Sequence, residues 1–207
     1  GDRVALVMKN CPQYYEVMFA CWYAGLAAVP VNAKLHPKEV AYIIGHSGAK
    51  LCFATPDLAG AVAGCEVIDV ASPAYAALDG TPVAPAEVRP DDLAWLFYTS
   101  GTTGLPKGAM LTHRNLLFAS QAYFADIDRL GPGDSILHAA PMSHGSGLYI
   151  MAHVARLGVH VVPESGAFEA DEVARLFAAW PRTSMFAAPT MIKRLVDYAG
   201  DCAAENI

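Results

Sequence analysis

The run Leu93-Ala-Trp-Leu-Phe-Tyr98 and the stretch after it, Thr99-Ser-Gly-Thr-Thr-Gly-Leu-Pro-Lys-Gly108, decide how the rest of the chain is read. The apolar, aromatic-rich run predicts a buried strand. It opens without a break into a loop of small hydroxyl residues and glycines. Gly101, Gly104 and Gly108 let the backbone bend and approach a ligand with no Cβ in the way. Thr99, Ser100, Thr102 and Thr103 offer hydroxyl donors, and successive N–H groups in such a loop can form an anion-binding concavity. Lys107 adds one mobile positive charge. Between Lys50 and Lys107 the only other basic residue is Arg89, set against seven carboxylates. A lysine in that company reads as placed for an anion; an ordinary solvated lysine is the alternative. A plain surface linker fits poorly, because linkers seldom open directly from a buried aromatic strand. The loop is not a Walker A loop, which needs Gly-Lys-Ser/Thr entering a helix. Here Pro106 precedes the lysine and Gly-Ala-Met follows it.

Outward from this loop, short apolar runs alternate with stretches of helical period. Strands are expected over 4–8, 27–31, 50–54, 93–98, 134–138, 159–162 and 183–187, with a further apolar run at 67–70. Helices are expected over 12–25, 37–47, 113–124, 146–157, 169–180 and 189–198. Apolar strands bounded by helices are buried on both faces, so the fold class is α/β with mostly parallel sheets layered with helices. In such sheets ligands sit beyond the strand C-termini, which directs attention to the loops after Tyr98, His138 and Ala187. An Ala/Pro-rich passage divides the chain into a first α/β unit at 1–77, a linker at 78–92 and a loop-bearing α/β unit at 93–207. In the helix at 12–25, Tyr15, Met18, Phe19 and Trp22 fall on one stripe, which reads as core packing. Glu169, Asp171 and Glu172 open a helix, where carboxylates offset the positive dipole end.

Composition narrows the function classes. Of 207 residues, 54% are hydrophobic and 16% charged, which excludes a disordered chain. Fourteen Lys and Arg against 20 Asp and Glu leave a net charge of −6, with no basic patch for nucleic acid or an anionic membrane. An anionic ligand must then be held by a few placed groups and backbone dipoles. The longest apolar stretch, 17–31, contains Gly25 and Pro30 and is too short for a membrane span of about 20 residues. The five cysteines are irregularly spaced with no CxxC pair, as expected of reduced thiols in a cytoplasmic protein. His36, His46, His138, His153 and His160 match no metal spacing and read as structural or surface residues. The chain starts without Met inside what reads as a strand, so a piece of a longer polypeptide is expected. Its low charged fraction suggests apolar surface meant for missing parts, and hence a tendency to self-associate.

The segment Tyr98–Gly108 resembles, without a break, the signature Tyr-Thr-Ser-Gly-Thr/Ser-Thr-Gly-x-Pro-Lys-Gly of the AMP-forming adenylating superfamily. That superfamily includes acyl- and aryl-CoA ligases, luciferases and peptide-synthetase adenylation domains. The resemblance extends along the chain. Thr112-His113 resembles the Thr-His pair after the loop, and Gly1-Asp-Arg-Val-Ala-Leu the family's first strand. Gly25-Leu-Ala-Ala-Val-Pro-Val-Asn32 resembles its next strand. Pro141-Met-Ser-His-Gly-Ser-Gly147 resembles the Pro-x-x-His-x-x-Gly segment, and Thr183-Ser-Met-Phe-Ala-Ala-Pro-Thr190 the strand and Pro-Thr turn that follow.

This resemblance implies part of the large N-terminal domain of an acetyl-CoA-synthetase-like fold. It implies an enzyme that joins a carboxylic acid to ATP, releases pyrophosphate, and passes the acyl group from the adenylate to CoA. Thr99 would be the hydroxyl nearest Mg²⁺, with Ser100, Thr102, Thr103 and Lys107 on phosphates and Gly101 and Gly104 shaping the backbone. His144 would lie beside the substrate carboxylate and acyl chain, or be a helix-start histidine bonded locally. Pro189 and Thr190 would border the acyl pocket, or simply start a helix. The family's metal-binding Glu, ribose-binding Asp, hinge and catalytic Lys have no counterpart between Gly1 and Ile207, so no catalytic residue is assigned within the chain. The histidine segment favours a CoA ligase over an adenylation domain that loads a carrier protein. A non-catalytic nucleotide-binding relative is the alternative of a different class.

Overall fold

A computed structural model of the chain describes residues 2–78, 80–99, 104–180 and 182–198. It divides into two compact units, Gly1–Lys9 with Gln13–Leu116, and Asn10–Pro12 with Leu117–Ile207.

The first unit carries β1 (Arg3–Val7), α1 (Gln13–Tyr23), β2 (Ala27–Val31), α2 (Pro37–Ser47), β3 (Leu51–Ala54), α3 (Pro56–Ala59), β4 (Glu66–Asp69), α4 (Pro73–Ala76), β5 (Leu93–Thr99) and β6 (Lys107–Thr112). Its six-stranded sheet has the order β4-β3-β1-β2-β5-β6, parallel throughout except for β6, which runs antiparallel to β5. β1 and β2 are buried almost end to end, as strands covered on both faces must be. Pro30 lies in central β2, a position that normally disfavours proline. The β2–β5 register is the single pair Ala28↔Trp95, and Pro30, two residues on, has no N–H to carry that ladder further. Helix α2 is fixed at both ends. His36 accepts from the Lys38 N–H, Glu39 accepts from the His36 N–H, and Gly48 takes a left-handed φ of 66° at the C-terminus. On α1 the deeply buried face is Tyr14, Val17, Met18 and Cys21, with Trp22 at its margin donating from Nε1 to the Ala94 carbonyl at 2.8 Å. The core stripe is therefore displaced from the one read off the sequence, sharing only Met18 as a deeply buried residue.

The expected boundary at 92/93 is corrected. β5 and β6 hydrogen-bond into the first sheet, so the Ala/Pro-rich passage is a connection within one unit. It is anchored to the end of α1 by Ala86 N–H to Tyr23 O at 2.8 Å and by Tyr23 Oη to Val83 O at 2.6 Å. β6 replaces what the sequence suggested was loop, and the short α3 and α4 were not anticipated.

α5 (His113–Ala122) continues into a π-helical turn at Tyr123–Ile127. The second unit then holds β7 (Ser135–Leu137), α6 (Gly145–Leu148), α7 (Ile150–Ala155), β8 (Val159–Val161), α8 (Ala170–Ala179), β9 (Thr183–Ser184) and α9 (Pro189–Asp197). Its three strands are parallel in the order β8-β7-β9. Leu137, Ala139, Val161, Phe168, Val173 and Phe177 form the core between this sheet and α8. The helix expected over 146–157 is two pieces joined at Tyr149, and the strand expected over 183–187 is only two residues long.

Candidate functional site

The loop singled out by the sequence is the connection of a β-hairpin. Tyr98 pairs with Gly108 and Thr99 with Lys107, so the arms close the segment at its base. Ser100, Gly101, Thr102 and Thr103 lie outside the described residues. Gly104 has φ +87°, and a Cβ there would meet nothing within 4 Å. Its requirement for glycine is thus conformational, on an open approach. Thr99 and Lys107 are exposed side by side, and Lys107 makes no ion pair among the described residues. A hydroxyl, a free ammonium and a left-handed glycine bend at the mouth of one hairpin are donors suited to phosphate oxygens.

The base of the hairpin is packed. Tyr98 is buried, and its ring lies over Gly108, where a Cβ would come within 3.0–3.1 Å of ring carbons. The Tyr98 hydroxyl meets Nδ1 of His46 on α2 at 2.7 Å, and burial pushes the phenol above its ordinary pKa. At the other end of β6, Thr112 caps α5. Its Oγ1 accepts from Asn115 N–H at 3.2 Å, and Asn115 Oδ1 accepts from Thr112 N–H at 3.0 Å. Next to it, His113 N–H bonds Asp92 O, and the Arg114 guanidinium pairs with Asp91 at 2.9 Å. The Thr-His pair therefore fastens the far end of the hairpin rather than supplying chemistry.

In the second unit, the Pro141–Gly147 segment follows β7 and enters α6. His144 is half-buried at the start of α6, with Nδ1 2.9 Å from Ser143 Oγ, and burial lowers its pKa. Asn10 clamps this turn. Its Nδ2 donates to the carbonyls of His138 and Ala140 at 2.7 and 2.8 Å, and its Oδ1 accepts from Met142 N–H at 2.9 Å. His138 is fully buried, with Nδ1 2.7 Å from Ser146 Oγ and Nε2 3.0 Å from His160 Nδ1. The two imidazoles stack at 5.3 Å, and His153 meets His160 edge-on at 6.1 Å. Burial, reinforced by neighbouring histidines, holds His138 well below 6.5 and His160 at about 4. These rings are neutral hydrogen-bonding struts, in line with the structural role read from their spacing. Among the described residues no group of three or more His, Cys, Asp or Glu could hold a metal ion.

A cavity of about 400 Å³ opens in this unit, lined by Tyr123, Ile127, Tyr149, Met185 and Phe186 among others. Gly145, next to His144, is pressed against Phe186, whose ring a Cβ would strike. Pro189 and Thr190 are exposed in the first turn of α9 and do not line this cavity. Asn10 escaped the sequence reading because a lone polar residue after a strand carries no motif; its partners lie more than 120 positions away.

A family model described as AMP-binding enzyme matches residues 1–206. The chain belongs to the AMP-binding enzyme family. Among its curated relatives, a feruloyl-CoA synthase of an Amycolatopsis species is 34% identical over 197 residues, covering 94% of this chain and 40% of the relative. A fatty acid–[acyl-carrier-protein] ligase, ScoC of Streptomyces coeruleorubidus, is 33% identical, covering 97% of this chain and 41% of the relative. Among solved structures, ATP-bound MatB from Rhodopseudomonas palustris superimposes with a TM-score of 0.82 at 29% identity, over 96% of this chain and 41% of that one. The chain thus spans about two fifths of the length of these proteins. Their shared architecture is the mostly parallel, helix-layered sheet described above, as the resemblance implied. No helix among the described residues is long and apolar enough to cross a membrane.

Proposed function

We propose that this chain is the front part of an ATP-dependent, AMP-forming acyl- or aryl-CoA ligase, and that the Thr99–Lys107 hairpin mouth holds the β- and γ-phosphates of ATP. The observation that carries this reading is the hairpin itself, with an exposed Thr99–Lys107 pair and a left-handed Gly104 on one open approach. In the proposed reaction a carboxylate oxygen bonds to the α-phosphorus, and the bond from that phosphorus to the bridging oxygen breaks, its electron pair leaving with pyrophosphate. A thiol then displaces AMP from the acyl carbon, forming the thioester and giving up its proton. Phosphate chemistry of this kind needs charge neutralised on oxygens and reactants held in line, and no covalent nucleophile from the protein. Lys107 neutralises, Gly104 keeps the approach clear, and Ser100, Gly101, Thr102 and Thr103 complete the proposed donor set. Mg²⁺, when bound, would offset charge on the departing pyrophosphate, and the exposed Thr99 hydroxyl is the proposed protein contact.

His144 is proposed to flank the substrate carboxylate and acyl group, supported by its half-burial and by the aromatic cavity behind Gly145. Pro189 and Thr190 remain a proposed pocket border only through the neighbouring Ala187, which lines that cavity. CoA as acceptor is supported by the CoA-ligase relatives, while the carrier-protein ligase relative keeps the second acceptor in play. A cytoplasmic location belongs to the same reading, supported by Cys21, Cys52 and Cys65, which carry no disulfide. The test is acid-dependent exchange of labelled pyrophosphate into ATP by the full-length enzyme over a panel of aliphatic and aromatic acids. Exchange that appears with an acid supports adenylation, and its absence with every acid argues for a non-catalytic relative. Product analysis with CoA and with a carrier protein separates the two acceptors.

A further inference from the structure

The reading of the hairpin leaves one contact at its base without a role. The Tyr98 hydroxyl lies 2.7 Å from Nδ1 of His46, a residue 52 positions earlier on a different element. We propose that His46 is a positioning residue for the phosphate-binding hairpin, acting through Tyr98. This rests on the reading of the Thr99–Lys107 mouth as the site for ATP phosphates.

The geometry makes a short chain of fixed parts. α2 is capped at both ends, so His46 in its last turn rides on a rigid support. Tyr42, one turn earlier, stacks on the imidazole at 5.3 Å and 21°, while the Tyr98 ring meets it edge-on at 5.9 Å. The phenol hydroxyl and Nδ1 share this hydrogen bond, the imidazole tautomer deciding which of the two donates. Tyr98 in turn is fixed against Gly108, its strand partner across the hairpin. Thr99 follows Tyr98 directly, and Lys107 precedes Gly108. The Tyr98 side chain therefore touches both arms at the base of the loop and also a helix outside the hairpin. β6 is the edge of its sheet. Without the hydroxyl anchor, the two arms can twist against the rest of the sheet, and the Thr99–Lys107 pair is no longer held in one place.

The experiment uses the full-length ligase with His46→Ala, Tyr98→Phe, the double variant, His46→Asn and Lys107→Ala. KM for ATP, KM for the acid and kcat are measured for each. Loss of one hydrogen bond at the anchor predicts a rise of about tenfold in KM for ATP for His46→Ala and Tyr98→Phe. KM for the acid should be unchanged. The double variant should be no worse than either single one, because both remove the same contact. His46→Asn, whose side-chain oxygen can sit where Nδ1 sat, should recover most of the affinity; a role confined to packing would not be rescued this way. If Lys107→Ala raises KM for ATP while His46→Ala and Tyr98→Phe leave it alone, the anchor is refuted and the phosphate site stands. If Lys107→Ala also leaves it alone, the phosphate reading fails and takes the anchor with it.

Discussion

Gly108 and Gly104 are both glycines of one hairpin, but they are required for different reasons. At Gly108 the Tyr98 ring occupies the space of a Cβ at 3.0–3.1 Å, so Gly108→Ala must push a buried aromatic aside. Overpacking of this kind should cost about 1–3 kcal/mol, read as a lower urea midpoint. At Gly104 nothing stands within 4 Å, and only the φ of +87° resists a side chain. Gly104→Val is strained by that φ, at about 1–3 kcal/mol, so it should distort the loop locally and act on ATP use. His144 makes its own prediction. If it flanks the carboxylate, His144→Ala slows adenylate formation and reorders preference among acids of different size, measured by kinetics over a short acid series. Wild-type rates and ranking would leave it a structural role, such as its contact with Ser143. At this scale the loop proposed to hold phosphate was legible as a candidate, because a hydroxyl- and glycine-rich string opens directly from an aromatic strand. The Tyr98–His46 contact was not, since nothing in a sequence ties residues 52 positions apart.

At the scale of elements, the turn after β7 depends on one side chain. Asn10 satisfies two carbonyls and one N–H of that turn in a buried setting. Asn10→Ala should cost about 3 kcal/mol by stranding those groups. Asn10→Asp keeps the volume but turns an acceptor toward two carbonyl oxygens, so it should be no better; unfolding of both variants checks this. The histidine struts give this unit an acid limit. His160 sits at about 4 in the fold against 6.5 unfolded, and burial lowers His138 and His153 as well. Between those values the unfolded chain binds more protons. The stabilising contribution is whole above pH 6.5 and is lost as pH falls toward 4, by about 3 kcal/mol for His160 alone. Melting temperature against pH should fall through that window, and His160→Gln should flatten the slope. The long periodic helices and apolar strands were legible at this scale. β6 was not: Lys-Gly-Ala-Met-Leu-Thr is a partly exposed edge strand with only a three-residue apolar run and no clean alternation, paired along its length with β5. β9 covers only Thr183–Ser184, and Met185 and Phe186 beyond it line the cavity.

For the whole molecule, the parallel α/β class and the family were readable from order and spacing, whereas the boundary was not. Composition marked a Pro-rich passage as a linker, but pairing of β5 with β2 decided the unit. Exposed apolar side chains such as Leu117, Phe118 and Val196 lead us to expect that the 207-residue chain folds but self-associates, which sedimentation will show. Because the chain covers only 40% of the feruloyl-CoA synthase it resembles, we expect it to catalyse no acid-dependent pyrophosphate exchange alone, transition-state groups acting as a unit. Robust exchange by the chain alone would show that it carries the whole active site. The most direct measurement for the proposed phosphate-binding hairpin is made on the full-length enzyme, comparing Lys107→Ala and Gly104→Val with wild type for KM of ATP and KM of the acid. The predicted result is a rise of about tenfold or more in KM for ATP with acid affinity retained, as loss of a charge-assisted phosphate contact requires. Unchanged ATP dependence in both folded variants would contradict it and remove the hairpin from the site.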